Sequence, residues 1–210
     1  MSERERMRRT MTPSEVLAAL EDAGAVLSGH FRLTSGRHSD RYVQCARILE
    51  DPALVGRLAE AIVAEVGDEG IDLVAAPAVG AVIIGFAVAQ SLGTRFVFTE
   101  RENGRMTLRR GFAIPPGARV LVVEDVVTTG GSVAEVVELV RAAGADPVSV
   151  ASIIDRGGPK AFSVPLHALL ALSVDSWDAE SCEMCAEGRP LESPGSRALT
   201  KSVGFDAGSA

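Results

Sequence analysis

Two rhythms of apolar and polar positions alternate along the 210-residue chain: short solid apolar runs and longer amphipathic stretches. Thr12-Pro13-Ser14-Glu15 opens the first stretch. Thr12 suits an N-cap, Pro13 the first helical position, and Glu15 completes a capping box. Leu17 and Leu20 give this helix an apolar face, and Gly24 helps to end it. Asp51-Pro52 starts a second helix in the same way, running to about Val66 before Gly67. The runs 71–76, 95–99, 119–125, 147–155 and 168–174 read as strands. Between them fall a small-residue helix from Ala81 to Leu92, stopped by Gly93, and a helix from Val133 closed by Gly144. Strands alternating with helices predict an α/β fold. Its central sheet is mostly parallel and flanked by helices, and its ligands lie at the carboxyl ends of the strands. From Asp175 the periodicity fades into a loop-rich tail, with 206–210 expected to fray.

Composition narrows the class. A hydrophobic content of 47% supports one sizeable domain, and 4% aromatics imply a core of Val, Leu, Ile and Ala. A net charge of −7 argues against nucleic-acid binding as the main task. No apolar stretch is long enough for a membrane span, and the first nine residues lack the apolar centre of a signal peptide. Three cysteines make no disulfide framework, which fits a reducing compartment, so the expected location is the cytoplasm.

The densest chemistry lies where the 119–125 strand ends. Glu124 and Asp125 close the apolar run, and Val126-Val127-Thr128-Thr129-Gly130-Gly131-Ser132 leads into a helix. Backbone N–H groups of a Gly-rich turn at a helix start bind phosphate. The two carboxylates before them can accept hydrogen bonds from sugar hydroxyls or hold a hydrated Mg²⁺. Acids at a strand end also serve as ordinary caps, and Gly-Gly turns are common. Cradle and acids side by side nevertheless suit a ribose 5-phosphate.

The whole string resembles the phosphoribosyl pyrophosphate (PRPP) signature of type I phosphoribosyltransferases. Three further blocks narrow the resemblance to the orotate phosphoribosyltransferases. The stretch from Phe31 through Ser35-Gly36-Arg37-His38-Ser39 to Tyr42 and Gln44 is similar to the segment that covers the pyrimidine in that family. The arginine-rich loop from Phe98 to Gly111, turning at Asn103-Gly104, resembles its mobile catalytic loop. Asp155-Arg156-Gly157-Gly158 matches the strand end where the family places an arginine near orotate. The blocks span about residues 15 to 160. The chain departs from some members in carrying Thr34 and Pro77-Ala78-Val79-Gly80-Ala81 where they carry lysines. Arg101 and Arg105 stand nearest to the lysine pair of the mobile loop, and the loop has no histidine.

The resemblance implies a type I phosphoribosyltransferase fold with a small hood and a mobile loop, and a single domain over 1–210. Within it, 1–50 would form the N-terminal helix and hood, 51–174 the core, and 175–210 the tail. It implies transfer of the 5-phosphoribosyl group from PRPP to orotate, giving orotidine 5′-monophosphate and pyrophosphate in pyrimidine (UMP) biosynthesis. PRPP would be held by residues 124 to 132: Glu124 and Asp125 on the ribose hydroxyls, and Val126, Val127, Thr128, Thr129, Gly130, Gly131 and Ser132 around the 5-phosphate. Arg101 and Arg105 are the candidates for the leaving pyrophosphate, with Glu124 and Asp125 completing the catalytic set. Thr128 and Arg156 would orient orotate; Phe31 and Tyr42 read more readily as core. Mg²⁺ would arrive with PRPP, Asp125 being its candidate contact, and no metal is expected to be held firmly by the protein itself. A homodimer with shared active sites is implied, with neither nucleic acid nor membrane as partner. A purine or uracil phosphoribosyltransferase is the alternative enzyme. A PRPP-sensing regulator is the alternative outside enzymes.

Cys182-Glu183-Met184-Cys185 has the spacing of half a zinc site. Only Cys45 or distant histidines could complete it, and His30, His38 and His167 show no ligand spacing.

Overall fold

The computed structural model describes residues 11–33 and 35–194. The readings that fall on Thr34, on the first nine residues and on 206–210 lie outside them. The described residues divide into two compact units, one within Met1–Val26 and Gln44–Ser173, the other within Leu27–Val43 and Val174–Ala210.

The first unit opens with helix α1 (Pro13–Asp22), whose Thr12 and Glu15 form the expected capping box. A 3-10 turn (Cys45–Glu50) leads to α2 (Pro52–Val66), capped by Asp51 through the Ala53 and Leu54 N–H groups at 2.9 and 3.2 Å. Then follow β3 (Leu73–Pro77), α3 (Ala81–Leu92), β4 (Arg95–Glu102), β5 (Arg105–Leu108), β6 (Arg119–Val127), α4 (Gly131–Ala142), β7 (Asp146–Asp155) and β8 (Leu166–Ala171). Six strands form one sheet in the order β5-β4-β3-β6-β7-β8. All pairs are parallel except β4 with β5.

Both faces of the sheet are covered, which is why its central strands are solid apolar runs. Leu73, Ala75, Val120, Val122 and Val150 pack in one cluster with Val133, Val136, Val137 and Val140 of α4. The strand positions alternate and the helix positions follow i, i+3, i+4, i+7, so each element turns one face to the other. Leu121 and Val123, on the other face of β6, are also fully buried. Each buried valine contributes about 1.5–3 kcal/mol. On that second face Gly85 of α3 is needed for close approach, because a Cβ there would stand 2.8 Å from the Phe96 ring and 3.0 Å from Ala76.

Element ends moved where pairing overrides pattern. β6 runs two residues further, to Val127, because Val126 and Val127 pair with Ile154 and Asp155 of β7. β8 spans Leu166–Ala171 rather than 168–174, since its last partner, Asp155, sits opposite Ala171. β4 continues to Glu102 and folds back on β5 through a two-residue turn, Asn103 (φ 49°) and Gly104 (φ 82°). Both central residues have positive φ, as a hairpin turn matching strand twist requires.

The second unit holds the hairpin of β1 (Val26–Arg32) and β2 (His38–Val43), of which all but Val26 lies in it, with a short 3-10 turn (Ala179–Ser181) and helix α5 (Glu183–Ala186). The segment read as a loop-rich tail is tied to this hairpin as far as Glu192. Arg32 N–H donates to the Glu192 carbonyl and Glu192 N–H to that of His30, both at 2.8 Å. His38 and Trp177 exchange backbone bonds at 2.8 and 2.9 Å. Among the described residues no helix is long and apolar enough to cross a membrane.

Candidate active site

Strand order reverses between β3 and β6, the position at which parallel α/β sheets leave a crevice at their carboxyl ends. Three loops meet around it: Pro77 to Gly80 after β3, the residues after Val127, and Arg156 after β7. The peptide between Ala78 and Val79 is cis. A Cβ on Gly80 would lie 2.8 Å from Asp125 Oδ2, so a residue without a side chain lets the β3 loop touch the acid.

Glu124 and Asp125 are half-buried side by side at the end of β6. Asp125 N–H donates to Glu124 Oε1 at 3.1 Å, and Val126 N–H donates to Asp125 Oδ1 at 2.8 Å. Burial, then the neighbouring Asp125 carboxylate, raises Glu124 well above the usual carboxylate range. Cys45 lies close beneath; burial first, then Asp125 and Glu124, push its thiol up and keep it protonated. Two acids crowded in this way form an oxygen donor set that fits a hard divalent ion or sugar hydroxyls.

Thr128 and Thr129 are exposed, and Gly130 enters α4 at φ 74° with no side-chain cap on the helix start. Its left-handed backbone favours glycine, and a Cβ would also strike the Phe162 ring at 2.4 Å. An uncapped helix start presents N–H groups and the positive end of the helix dipole to the crevice. The loop is braced from behind. Lys160 Nζ donates to the Thr128 carbonyl at 2.9 Å, to Asp155 Oδ1 at 2.5 Å and to the Gly157 carbonyl at 2.8 Å. Ala161 N–H donates to the Thr129 carbonyl at 2.9 Å. Sequence reasoning missed Lys160, whose only signal was a lysine five residues after a strand-end acid.

Arg156 is half-buried and bonds through its backbone to Val127. Asp155 pairs with Lys160 rather than with Arg156. Its Nε is buried without a hydrogen-bond partner among the described residues, and burial lowers the guanidinium pKa. A buried unpaired donor is costly unless a ligand completes it.

The arginines of the 98–111 block lie on and after the β4–β5 hairpin. Arg101 is held by Glu135 of α4 at 2.8 Å and donates to the Gly104 carbonyl at 2.5 Å. Glu135, which sequence reasoning did not single out, also accepts from Met106 N–H at 2.9 Å. Arg110 pairs with Glu100 at 2.8 Å and Arg109 with Glu102 at 3.6 Å. Arg105 is exposed and makes no side-chain ion pair among the described residues. Phe31 and Tyr42 pack ring to ring within the second unit at 5.7 Å, Phe31 being buried. Arg37 and Ser39 of the Ser35-Gly36 block are engaged by Ser176, Asp178 and Asp175.

A mostly parallel sheet with an acid pair and an uncapped helix start at its switch point fits the class of α/β proteins that bind ligands at the carboxyl ends of their strands. Residues 45–164 match the phosphoribosyl transferase domain. The chain is 47% identical to the orotate phosphoribosyltransferase of Desulforamulus reducens over 191 residues, covering 90% of this chain and all of that one. It is 51% identical to the Thermotoga maritima enzyme of that name over 181 residues, covering 86% and 97%. Among solved structures, the orotate phosphoribosyltransferase from Aeropyrum pernix superposes with a TM-score of 0.64 at 27% identity, over 75% of this chain and 93% of that one. The chain belongs to the orotate phosphoribosyltransferases.

Proposed function

We propose that the protein transfers the 5-phosphoribosyl group of PRPP to orotate, forming orotidine 5′-monophosphate and pyrophosphate, as one domain over 1–210. The observation that carries this reading is the meeting of the Glu124–Asp125 pair with the uncapped start of α4, beside the unpaired Nε of Arg156. Backbone N–H groups and hydroxyls from Val126 to Ser132 take the 5-phosphate, and Glu124 and Asp125 take the ribose hydroxyls. Displacement at the anomeric carbon builds positive charge on the ring, which the two acids stabilise, while Arg101 and Arg105 offset the charge of the departing pyrophosphate. Arg101 must exchange Glu135 for pyrophosphate to do so. Arg156 and Thr128 orient orotate, Arg156 through planar donors suited to a carboxylate. No covalent nucleophile is required; positioning and electrostatics carry the reaction.

Mg²⁺ bound with PRPP would neutralise pyrophosphate charge, and Asp125, with Glu124 beside it, would meet that ion or its waters. A homodimer with shared sites is supported by exposed Val79, Ile83 and Phe86, which lie on and just before α3 at spacings of four and three. A cytoplasmic location suits the three free cysteines. Following the loss of orotate absorbance with PRPP and Mg²⁺, beside adenine, hypoxanthine and uracil controls, tests the reading. Orotate alone should be consumed, and Asp125→Asn should abolish turnover. Use of another base would overturn the pyrimidine assignment, and PRPP binding without turnover of any base would favour a sensor.

A further inference from the structure

In the second unit, four metal-ligating side chains converge on one point. His30 and His38 come from the two strands of the hairpin; Cys182 stands at the N-cap position of α5 and Cys185 lies within that helix. One ligand atom from each lies within 4.8 Å of all the others. This corrects the expectation that the histidines form no cluster: two of them meet the Cys-x-x-Cys pair, while Cys45 stands under the acid pair in the other unit. We propose that His30, His38, Cys182 and Cys185 bind a structural zinc ion.

The edge lengths carry the proposal. Tetrahedral zinc with Zn–N near 2.0 Å and Zn–S near 2.3 Å sets N···S edges of about 3.5 Å and an N···N edge of about 3.3 Å. Here His30 Nε2 lies 3.5 Å from Cys182 Sγ and 3.6 Å from Cys185 Sγ. His38 Nδ1 lies 3.2 Å from Cys185 Sγ, and the two nitrogens are 3.0 Å apart. A small contraction or expansion at each edge is enough to seat the ion.

The imidazole of His30 is also set for ligation. Its Nδ1 lies 3.0 Å from the Arg189 carbonyl, which can only accept, so Nδ1 carries the proton. Nε2 is then left with its lone pair aimed at the cluster, as the second shell of a metal-bound histidine requires. Hydrogen bonding alone would satisfy the His30–His38 pair, but both sulfurs converge on the same nitrogens, and His30, His38 and Cys182 are buried. Four protein ligands fill a tetrahedron, leaving no open position for catalysis. Two thiolates with two imidazoles favour zinc over hard ions such as Mg²⁺.

The unit's poverty in core explains what the ion would do. Among its described residues the buried apolar side chains besides Cys182 are Phe31 and Met184. Units with so little apolar core are commonly held by a metal or by disulfides. Here the ion would fasten the hairpin to the 182–189 segment, whose flanks are tied to it by backbone bonds at Trp177 and Glu192 and by the contacts of Arg37 and Ser39 with residues 175–178.

The test is metal content, which is independent of turnover and so separable from the assignment of activity. The full chain without an affinity tag is produced in zinc-supplemented medium, desalted and measured by plasma mass spectrometry. About one zinc per chain is expected. It should be lost in the Cys182→Ser/Cys185→Ser double variant and kept in Cys45→Ala. Less than about a tenth of a zinc per chain after loading, a Cys182–Cys185 disulfide in its place, or full zinc retention by the double variant overturns the proposal. If the double variant does not fold, cobalt-substituted wild-type protein decides. Thiolate-to-cobalt charge transfer with intense tetrahedral visible bands supports the site, and a weak octahedral spectrum overturns it.

Discussion

Arg101 and Glu135 join the β4–β5 hairpin to α4 through a two-point ion pair, with guanidinium nitrogens 2.8 and 3.3 Å from the two carboxylate oxygens. The proposed pyrophosphate ligand is therefore held by a carboxylate that must give way. Replacing Arg101 with alanine should lower kcat by about 10²–10³, as expected for a donor acting on developing charge. Glu135→Gln should lower KM for PRPP about 1.4- to fivefold, the equivalent of a surface pair of about 0.2–1 kcal/mol. Steady-state kinetics of both variants check this; an unchanged kcat in Arg101→Ala would remove the arginine from the mechanism.

Gly80→Ala puts a methyl group 2.8 Å from Asp125 Oδ2 while keeping an ordinary backbone conformation. The carboxylate must shift, and misplacement on the scale of an ångström costs about 10²-fold in rate. The expected result is that loss in kcat/KM for PRPP with little change in thermal midpoint. A fully active variant would show that Asp125 tolerates displacement.

The protonation of Glu124 gives a pH signature. Its folded-state pKa is raised above the unfolded value, so between the ordinary carboxylate range and the raised value the native state binds more protons. Stability of the ligand-free protein contributed by this group is complete at low pH and declines as pH rises through that window. Urea denaturation across the neutral range should show the decline, and Glu124→Gln should flatten it. Binding of Mg-PRPP, which compensates the charge, should release a proton detectable by calorimetry in buffers of different ionisation enthalpy.

Lys160→Met removes the cation that holds Asp155, Gly157 and the Thr128 carbonyl together. Leaving the largely buried Asp155 without its cation, with the Gly157 N–H at 2.8 Å as its remaining partner, should cost about 1–3 kcal/mol. The double variant Lys160→Met/Asp155→Asn should recover much of that stability yet keep a raised KM for PRPP, because the loop brace is still absent. A double-mutant cycle by chemical denaturation, with kinetics on the same proteins, separates the two effects.

The acid pair, Gly130 and the start of α4 were legible along the chain because they are consecutive, and a strand, a turn and a helix each leave a local pattern. So were the capping box of α1 and the Asp51 cap of α2, which act within three residues. The ends of β6 and β8 were not, since each stops where its neighbour β7 stops offering partners.

By itself the sequence determined the alternating α/β order, the Gly-rich loop after β6 and the family resemblance, because these rest on local periodicity and contiguous motifs. Only the tertiary structure decided that Gly80 meets Asp125, that Lys160 rather than Arg156 neutralises Asp155, that Glu135 holds Arg101, and that two histidines eight residues apart close on a cysteine pair about 150 positions away. Those contacts follow from strand order and from backbone pairing between distant segments. Neither leaves a period or a spacing in the chain.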